Sequence, residues 1–385
     1  MRVHHQPDNA PSGREFRSLV DLGTASVRAL VVELSQGQTH IWGQGRASVE
    51  GSYAANGEIA DREALAAACD AALCQAEEMT SRTLGHRIVP DGSIWSVPGW
   101  MCRSQRLNLD QRRSHPDRRI SRREWQVFQA RQERAVAHLP PSPVDVLSRL
   151  QVDGQLVTEA IDLQGEWLTL QTLVVSAEPQ VLAMLFETAA ALELELPVVI
   201  SQGRASVAVL PADGLLLDVG RWGTAVSVRA AGQLSGSVWV PLGGQSFYRT
   251  LMNAFELSVA QLPVFCRHWA DGQLTPEVAS AAGAALVDTV MRWLDAIAGQ
   301  LAILSSETPL PHRIYLAGGA SCLPIVGGLA GRYDWLAQMV WSRHPEVHLW
   351  PSTLPEGVVN HTDHAWDVSD LVCLGLARLV ETVII

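Results

Sequence analysis

Two acidic residues stand at the ends of apolar runs, and each is followed by a glycine turn. Asp21 precedes Gly23 and Thr24, and Asp218 precedes Gly220. A glycine lets the chain turn tightly, so that backbone amides can face an anion. A carboxylate beside such a turn can hold a hydrated Mg²⁺ next to phosphate groups. Either turn alone is also compatible with an ordinary β-hairpin.

A third motif of the same character follows. The apolar run 314–316 leads into residues 317–321 (Ala-Gly-Gly-Ala-Ser), and a helix is expected to begin near Pro324. Paired glycines let the backbone pass flat against a ring such as adenine. The three motifs together, in this order and spacing, are much more specific than any one of them, and they indicate a nucleotide site.

The elements that must position these motifs repeat along the chain. In each half, a strand, a glycine turn and a second strand lead through a hairpin to a third strand and a helix. The first helix is expected over 62–79 behind the cap Asp61, and its counterpart from about Ser246. The two halves therefore look like copies of one α/β design.

A different segment lies between the halves. Residues 103–134 contain ten arginines, and Ser121 and Glu124 match a capping box for the helix that follows. Strand-like runs over 144–152 and 167–175 and a helix over about 179–192 complete the pattern. It predicts an α+β module inserted into the first lobe. Its arginines form either a solvated face or a docking surface for an acidic partner.

The composition indicates a globular protein of more than one domain. A chain of 385 residues, 47% hydrophobic and 18% charged, predicts two or more globular domains. The formal net charge of −11 argues against general attraction to nucleic acid or to an anionic membrane. Every basic residue except histidine is arginine, so no step in this protein can use a lysine amine.

Cysteine usage and hydropathy bear on the compartment. Six cysteines without a C-x-x-C pair argue against a disulfide framework and a zinc site, and they fit a reducing cytosol. No run approaches 18 consecutive apolar residues, so a membrane-spanning helix is not expected. Residues 1–17 are interpreted as a disordered leader rather than a signal peptide.

Taken together, the three motifs resemble the phosphate 1, phosphate 2 and adenosine motifs of the actin, Hsp70 and sugar-kinase superfamily. Within it, the chain is most similar to FtsA-like cell-division proteins, and in second place to PilM-like pilus-assembly proteins. The narrower resemblance rests on residues 97–104, the helix start 119–124, the Leu-Gly-Gly at 242–244 and the closing segment 374–377. It covers about residues 18–380 at low identity.

The resemblance implies an α/β fold of the actin-like ATPase (RNase H-like) type. Two lobes, each with a mixed five-stranded sheet, would close on ATP, and an α+β subdomain of the SHS2-like, 1C type would be inserted. The expected bounds are 18–97 with 181–212 and 362–385 for the first lobe, 98–180 for the insert, and 213–361 for the second lobe. The region corresponding to subdomain 2B is expected near 258–285, in reduced form.

The resemblance also implies ATP as the cofactor, with Mg²⁺ held by Asp21 and Asp218 through water molecules. The residues expected around the nucleotide are Asp21, Gly23, Thr24, Ser26, Arg28, Asp218, Gly220, Arg221, Gly223, Thr224, Gly244, Gly318, Gly319, Ala320 and Ser321.

The second phosphate loop departs from the family pattern. Arg221 and Trp222 stand where two glycines are expected, and Ala225 replaces an aspartate. Arg221 either pairs with phosphate oxygens or fills an emptied pocket together with Trp222. No general base for phosphoryl transfer stands out, so the expectation is at most a slow ATPase.

The implied function is a cytoplasmic scaffold of the cell-division machinery, the divisome. It would self-associate into filaments through the inserted subdomain or dock an FtsZ-like partner, and reach the inner face of the membrane only through partners. One alternative is a PilM-like platform for type IV pilus or secretion assembly. Others are a nucleotide-free pseudo-ATPase that serves only for interaction, and a small-molecule kinase, against which the inserted module argues.

Overall fold

A computed structural model describes residues 15–53, 59–139, 142–304 and 309–384. The chain divides into two compact units by its internal contacts. Unit 1 contains the described parts of 1–96, 185–199 and 351–385, and unit 2 those of 97–184 and 200–350.

The strands come in the following order along the chain: β1 (Glu15–Leu22), β2 (Ser26–Ser35), β3 (Gln38–Ser48), β4 (Gly92–Val97), β5 (Cys102–Arg112), β6 (Pro143–Val152), β7 (Gln155–Val157), β8 (Trp167–Ala177), β9 (Val198–Ser201), β10 (Gly214–Val219), β11 (Thr224–Ala230), β12 (Gln233–Val240), β13 (Arg313–Ala317), β14 (Glu346–Leu349) and β15 (Val358–Asn360).

The helices are α1 (Arg62–Leu84), α2 (Arg122–Ala137), α3 (Pro179–Ala191), α4 (Gln202–Ala208), α5 (Gly244–Phe255), α6 (Leu262–Ala270), α7 (Pro276–Leu304), α8 (Pro324–Ala330), α9 (Tyr333–Leu336) and α10 (Leu371–Ile384). Among the described residues, no helix combines the length and the apolar character needed to cross a bilayer.

Unit 1 is built on a mixed sheet with the strand order β15-β3-β2-β1-β4-β9. The hairpins β1–β2 and β2–β3 are antiparallel, whereas β4 is parallel to β1. This sheet has six strands rather than the expected five, because the three residues of β15 add to the edge of β3. The first strand begins at Glu15, so the last three residues of the predicted leader belong to the sheet, and residues 1–14 lie outside the described range.

Helix α1 packs directly on β3 because two glycines remove the side chains between them. A Cβ at Gly43 would lie 2.0 Å from Ala76 O, and a Cβ at Gly45 would lie 1.9 Å from Ala72 O. Asp61 caps the helix as predicted, its carboxylate accepting a hydrogen bond from Ala64 N at 2.9 Å. The helix runs beyond the predicted end and stops at Gly85, which has a φ of 75°.

Unit 2 contains a second mixed sheet, with the order β12-β11-β10-β13-β14. The predicted sequence of three antiparallel strands followed by a helix is present as β10, β11, β12 and α5. Its core is formed by side chains from this sheet, α5 and α7, among them Leu217, Phe247 and Trp293, each at most 1% exposed.

The segment between the halves folds as an α+β module of unit 2, with the sheet order β5-β8-β6-β7. Helix α2 contributes Phe128 to a small core with Leu150 and Leu168. The module is anchored on β12, where Arg106 donates from Nε to Ser235 O at 2.9 Å and Arg149 donates to Gln233 O at 3.0 Å. The contacts therefore group the inserted module with the second half of the chain, and the bounds expected for the lobes stay a prediction.

Candidate functional site

The second phosphate motif is the turn between β10 and β11 in unit 2. The two strands pair in register as far as Val219 and Thr224, so residues 220–223 form the connection. Gly223 is the tightest point of this turn. A Cβ there would lie 2.1 Å from the Trp239 ring and 2.6 Å from Val240 O. A glycine is therefore required at this position by the contact with β12.

The adenosine motif lies directly beside this turn, because β10 and β13 are parallel and Asp218 is in register with Ala317. Gly318 has a φ of 81°, in the left-handed region that favours glycine. A Cβ at Gly318 would lie 2.4 Å from Asp218 Oδ1 and 2.6 Å from Val219 O. The predicted metal-binding carboxylate thus contacts the backbone of the predicted nucleoside motif.

The Gly243-Gly244 pair at the start of α5 contacts both segments. We call the meeting point of the turn 220–223, the motif 317–321 and this glycine pair the junction. Gly244 N donates to Gly220 O at 2.9 Å, and Gln245 N donates to Arg221 O at 2.7 Å. A Cβ at Gly244 would lie 2.8 Å from Ala320 Cβ. The start of α5, the second phosphate turn and the adenosine motif therefore converge in unit 2.

One face of the junction is open. Gly319 is exposed, and no atom lies within 4 Å of the position that its Cβ would take. Ser321 points inward instead, since it is 4% exposed and its hydroxyl donates to Gly318 O at 2.7 Å. A flat group could lie against Gly319 without displacing any described side chain.

Arg221 lies partly buried next to the same junction. Its Nε donates to Gln245 Oε1 at 3.3 Å, and its guanidinium carbon lies 5.4 Å from the centre of the Trp222 ring. Burial raises the pKa of the nearby Tyr248 above the ordinary value of a phenol. Neither Gln245 nor Tyr248 was among the predicted site residues, although both follow the glycine pair within the first turns of α5.

The Thr224 hydroxyl has a role within the protein. The residue is fully buried; its hydroxyl donates to Leu242 O at 2.8 Å and accepts a hydrogen bond from Trp293 Nε1 at 2.8 Å. Because a hydroxyl has a single proton, this geometry leaves Thr224 no side-chain donor for a phosphate. The sequence gives no sign of the hydrogen bond between Thr224 and Trp293, because the two residues are 69 positions apart.

The first phosphate motif is the turn between β1 and β2 in unit 1. Gly23 N donates to Ser26 O at 3.2 Å, and a Cβ at Gly23 would lie 2.8 Å from the same oxygen. Thr24 is 7% exposed, and the Ser26 hydroxyl accepts a hydrogen bond from Arg46 Nε at 3.1 Å. The turn is tight, as predicted.

The Asp21 carboxylate already has partners in unit 1. Its Oδ1 accepts a hydrogen bond from the Ser96 hydroxyl at 3.0 Å, and its Oδ2 lies 3.5 Å from Arg28 Nη1. Burial, the largest influence, would lower the pKa of Arg28, but the neighbouring acidic groups, Asp21 first and then Cys373, Asp370 and Asp367, together outweigh it and the pKa is raised. Arg28 therefore stays charged and compensates Asp21.

The two acidic turns belong to different units. Unit 1 holds Asp21, Gly23, Thr24, Ser26 and Arg28, and unit 2 holds the other predicted site residues. The expectation that both turns meet around one nucleotide stays a prediction.

Comparison with known proteins supports the fold. No protein-family model matches the chain, and no curated protein matches it. A solved PilM–PilN type IV pilus biogenesis complex is similar in structure, with a TM-score of 0.59 and 17% identity over 93% of this chain and 96% of the matched chain. The ethanolamine utilization protein EutJ from Carboxydothermus hydrogenoformans is similar with a TM-score of 0.51 and 14% identity, over 96% of this chain and 91% of EutJ. The predicted fold class is confirmed: the chain has the fold of the actin-like ATPases.

Proposed function

We propose that this protein is a nucleotide-binding platform of the PilM type, which holds a partner protein of a type IV pilus or secretion assembly at the cytoplasmic side. The similarity to PilM in a PilM–PilN complex supports the platform role. The nucleotide role rests on one observation, the convergence of three glycine-rich segments around Asp218 in unit 2.

The residues of this junction fit a nucleotide by their chemistry. The open face of Gly319 would take the nucleoside, and the turn 220–223 with Arg221 would face phosphate oxygens. Among the described residues, no three metal-ligating side chains cluster, so Mg²⁺ would be held largely by phosphate oxygens and water, beside Asp218. When bound, the metal neutralises phosphate charge.

The first prediction is that the protein binds ATP with Mg²⁺ and that the face of Gly319 is part of the site. Leucine at position 319 would occupy the open space and should weaken ATP binding at least about tenfold. Gly328→Leu is the matched control, because Gly328 is also exposed with no atom within 4 Å of its Cβ position. Isothermal titration calorimetry measures both variants. Wild-type protein that binds no ATP at millimolar concentration would favour the pseudo-ATPase.

A cell-division scaffold is the second candidate, and the exposed arginines at the start of α2 favour its self-association. Arg122 and Arg123 are both exposed, and neither forms an ion pair with a described carboxylate. Such a surface suits an acidic face of a neighbouring copy, and a head-to-tail contact that does not close would give a filament.

The second prediction is that Arg122→Glu with Arg123→Glu weakens self-association in the presence of ATP while ATP affinity is unchanged. Part of the attraction should also disappear in 1 M salt, where the Debye length is about 3 Å. Sedimentation velocity measures the assembly, and Arg332→Glu with Arg343→Glu, two other exposed positions of unit 2, is the control for net charge. A wild type that stays monomeric at high concentration would contradict this prediction.

Titration with the FtsZ-like and PilN-like proteins of the same genome then separates the two candidate functions.

A further inference from the structure

A cavity of about 330 Å³ lies within unit 1, and all of its lining residues belong to that unit. Its walls are β2, β3, α1 and the segment 364–373. Three arginines line it, Arg28, Arg46 and Arg82, together with Trp366 and the carboxylates of Glu78 and Asp370. We call it the Arg46 pocket. Its volume is at the lower end of the range for small-molecule sites, about 300–1,000 Å³.

Two buried donors of this pocket have no hydrogen bond. They are Arg28 Nε and Trp366 Nε1, and neither has a hydrogen-bond partner within the described ranges of the chain. Arg28 Nε lies 3.5 Å from Asp370 Oδ1, which is an ion pair but a poor hydrogen bond. A buried donor without an acceptor is costly and rare. Since both groups are donors, the partner they lack is an acceptor.

Arg46 adds a charge with no carboxylate partner. Its Nε donates to the Ser26 hydroxyl, and its backbone amide is fixed by Gln75 Oε1 at 3.0 Å. With the carboxylates of the described residues it forms no ion pair within 4.0 Å. Burial, and after it the positive charge of Arg28, lower the pKa of Arg46. Arg28 and Arg46 therefore share this wall, and Asp367 and Asp370 attract Arg46 from beyond ion-pair distance. An anion within the pocket could pair with Arg46 directly.

The one buried carboxylate in the wall is already committed. Asp370 accepts hydrogen bonds at Oδ2 from Asp367 N at 3.0 Å and lies 3.0 Å from His364 Nε2. Its other oxygen faces Arg28. Asp370 thus holds the segment before α10 in place, and it attracts Arg46 without forming an ion pair with it.

We propose that the Arg46 pocket binds a small molecule through a phosphate or carboxylate group, with Arg46 and Arg28 as cationic partners and Trp366 in the pocket wall. A guanidinium group pairs well with both kinds of anion, because its parallel N–H groups match two oxygens. The proposal does not depend on the junction in unit 2, although Arg28 was also expected near the nucleotide and Arg46 binds the Ser26 hydroxyl. Arg46 and Trp366 themselves belong to no predicted nucleotide contact, so they can be changed to test it.

The test titrates the whole chain with inorganic phosphate and, separately, with succinate, at constant ionic strength set by sodium chloride. The indole N–H resonance of Trp366, assigned from its loss in Trp366→Phe, reports on the pocket itself. We expect a saturable shift of this resonance with one of the two anions. Arg46→Gln should weaken that binding about tenfold or more, because a charge-assisted contact is lost. Arg378→Gln, an exposed arginine of α10 outside the pocket, should not change it.

The two anions separate the possible sources of the ligand, since phosphate alone points to a phosphorylated metabolite and succinate alone to a carboxylic acid. Calorimetric ATP titration of Arg46→Gln provides the second readout. Unchanged ATP affinity together with lost anion binding supports a separate pocket. The proposal is overturned if neither anion gives a saturable shift, if Arg378→Gln weakens binding as much, or if ATP affinity falls in parallel with anion binding.

Discussion

Alanine at position 318 should lower the free energy of unfolding by about 2–5 kcal/mol, whereas alanine at position 319 should change it by less than about 1 kcal/mol. The two glycines are neighbours in one loop and were predicted together as a nucleoside motif. Only Gly318 has a positive φ, of 81°, and only its Cβ position is occupied, by Asp218 Oδ1 at 2.4 Å and Val219 O at 2.6 Å.

The expected loss of unfolding free energy in Gly318→Ala has two parts. A non-glycine residue in the left-handed region costs about 1–2 kcal/mol. In addition, Val219 O belongs to the backbone of the central strand β10, which cannot shift without disturbing its register with β13. Relief of such overpacking typically costs about 1–3 kcal/mol. Because Asp218 must move as well, the folded fraction of Gly318→Ala should also bind ATP more weakly than wild type.

Urea unfolding followed by tryptophan fluorescence and by circular dichroism measures the difference between Gly318→Ala and Gly319→Ala. A chain with two units can unfold in more than one step, so midpoints are compared for each probe separately. Equal midpoints for the two variants would contradict the close contact between Gly318 and β10.

Much of the fold could be predicted because its signals are local. The strands before Asp21 and Asp218 are apolar runs that end in a glycine turn, and each contains the information for its own hairpin. The convergence of Asp218 with Gly318 followed from the resemblance. The three-residue strand β15 could not be predicted, since it is too short to show a period and depends on β3, more than 300 residues earlier.

The side-chain chemistry of the site was less predictable, because it depends on partners far apart in sequence. Asp21 is held by Ser96 and Thr224 by Trp293, at separations of 75 and 69 residues. The arginine-rich run shows the same limit. It was interpreted as either a solvated face or a docking surface, yet its members differ: Arg122 and Arg123 are exposed, while Arg113 is buried.

Arg113 organises the inserted module. Its side chain is 1% exposed, and it donates to both carboxylate oxygens of Glu124, at 2.7 and 3.1 Å. It also donates to the backbone oxygens of Gly165 at 2.7 Å and Arg118 at 3.0 Å. Glu124 was predicted as part of a capping box. Ser121 does cap α2, accepting from Glu124 N at 3.2 Å, but the Glu124 carboxylate binds Arg113.

Replacement of Arg113 by methionine should therefore destabilise the module by about 2–4 kcal/mol, because the buried Gly165 oxygen, the Arg118 oxygen and one carboxylate lose their donor. The matched control is the neighbouring Arg112→Met. Arg112 pairs with Glu166 at 2.7 Å, but the two side chains are 70% and 44% exposed, so less than about 1 kcal/mol is expected. Thermal and urea unfolding of the whole chain compare the two variants, and a similar loss in both would contradict a buried role for Arg113.

The ion pair also predicts a pH dependence with a definite sign. The hydrogen bond from Arg113 lowers the pKa of Glu124 below its ordinary value of 4.5. A carboxylate with a depressed pKa in the folded state stabilises the protein fully above its unfolded pKa, and this contribution is lost as the pH falls through the folded pKa. Glu124→Gln is permanently neutral. The difference in unfolding free energy between wild type and Glu124→Gln should thus be constant above pH 4.5 and should disappear as the pH falls below it. The difference between wild type and Arg113→Met should become smaller but should not disappear. The reason is that the wild type keeps the hydrogen bonds from Arg113 to Gly165 and Arg118 at low pH. A difference between wild type and Glu124→Gln that does not change with pH would show that Glu124 is not ionised against Arg113 in the folded protein.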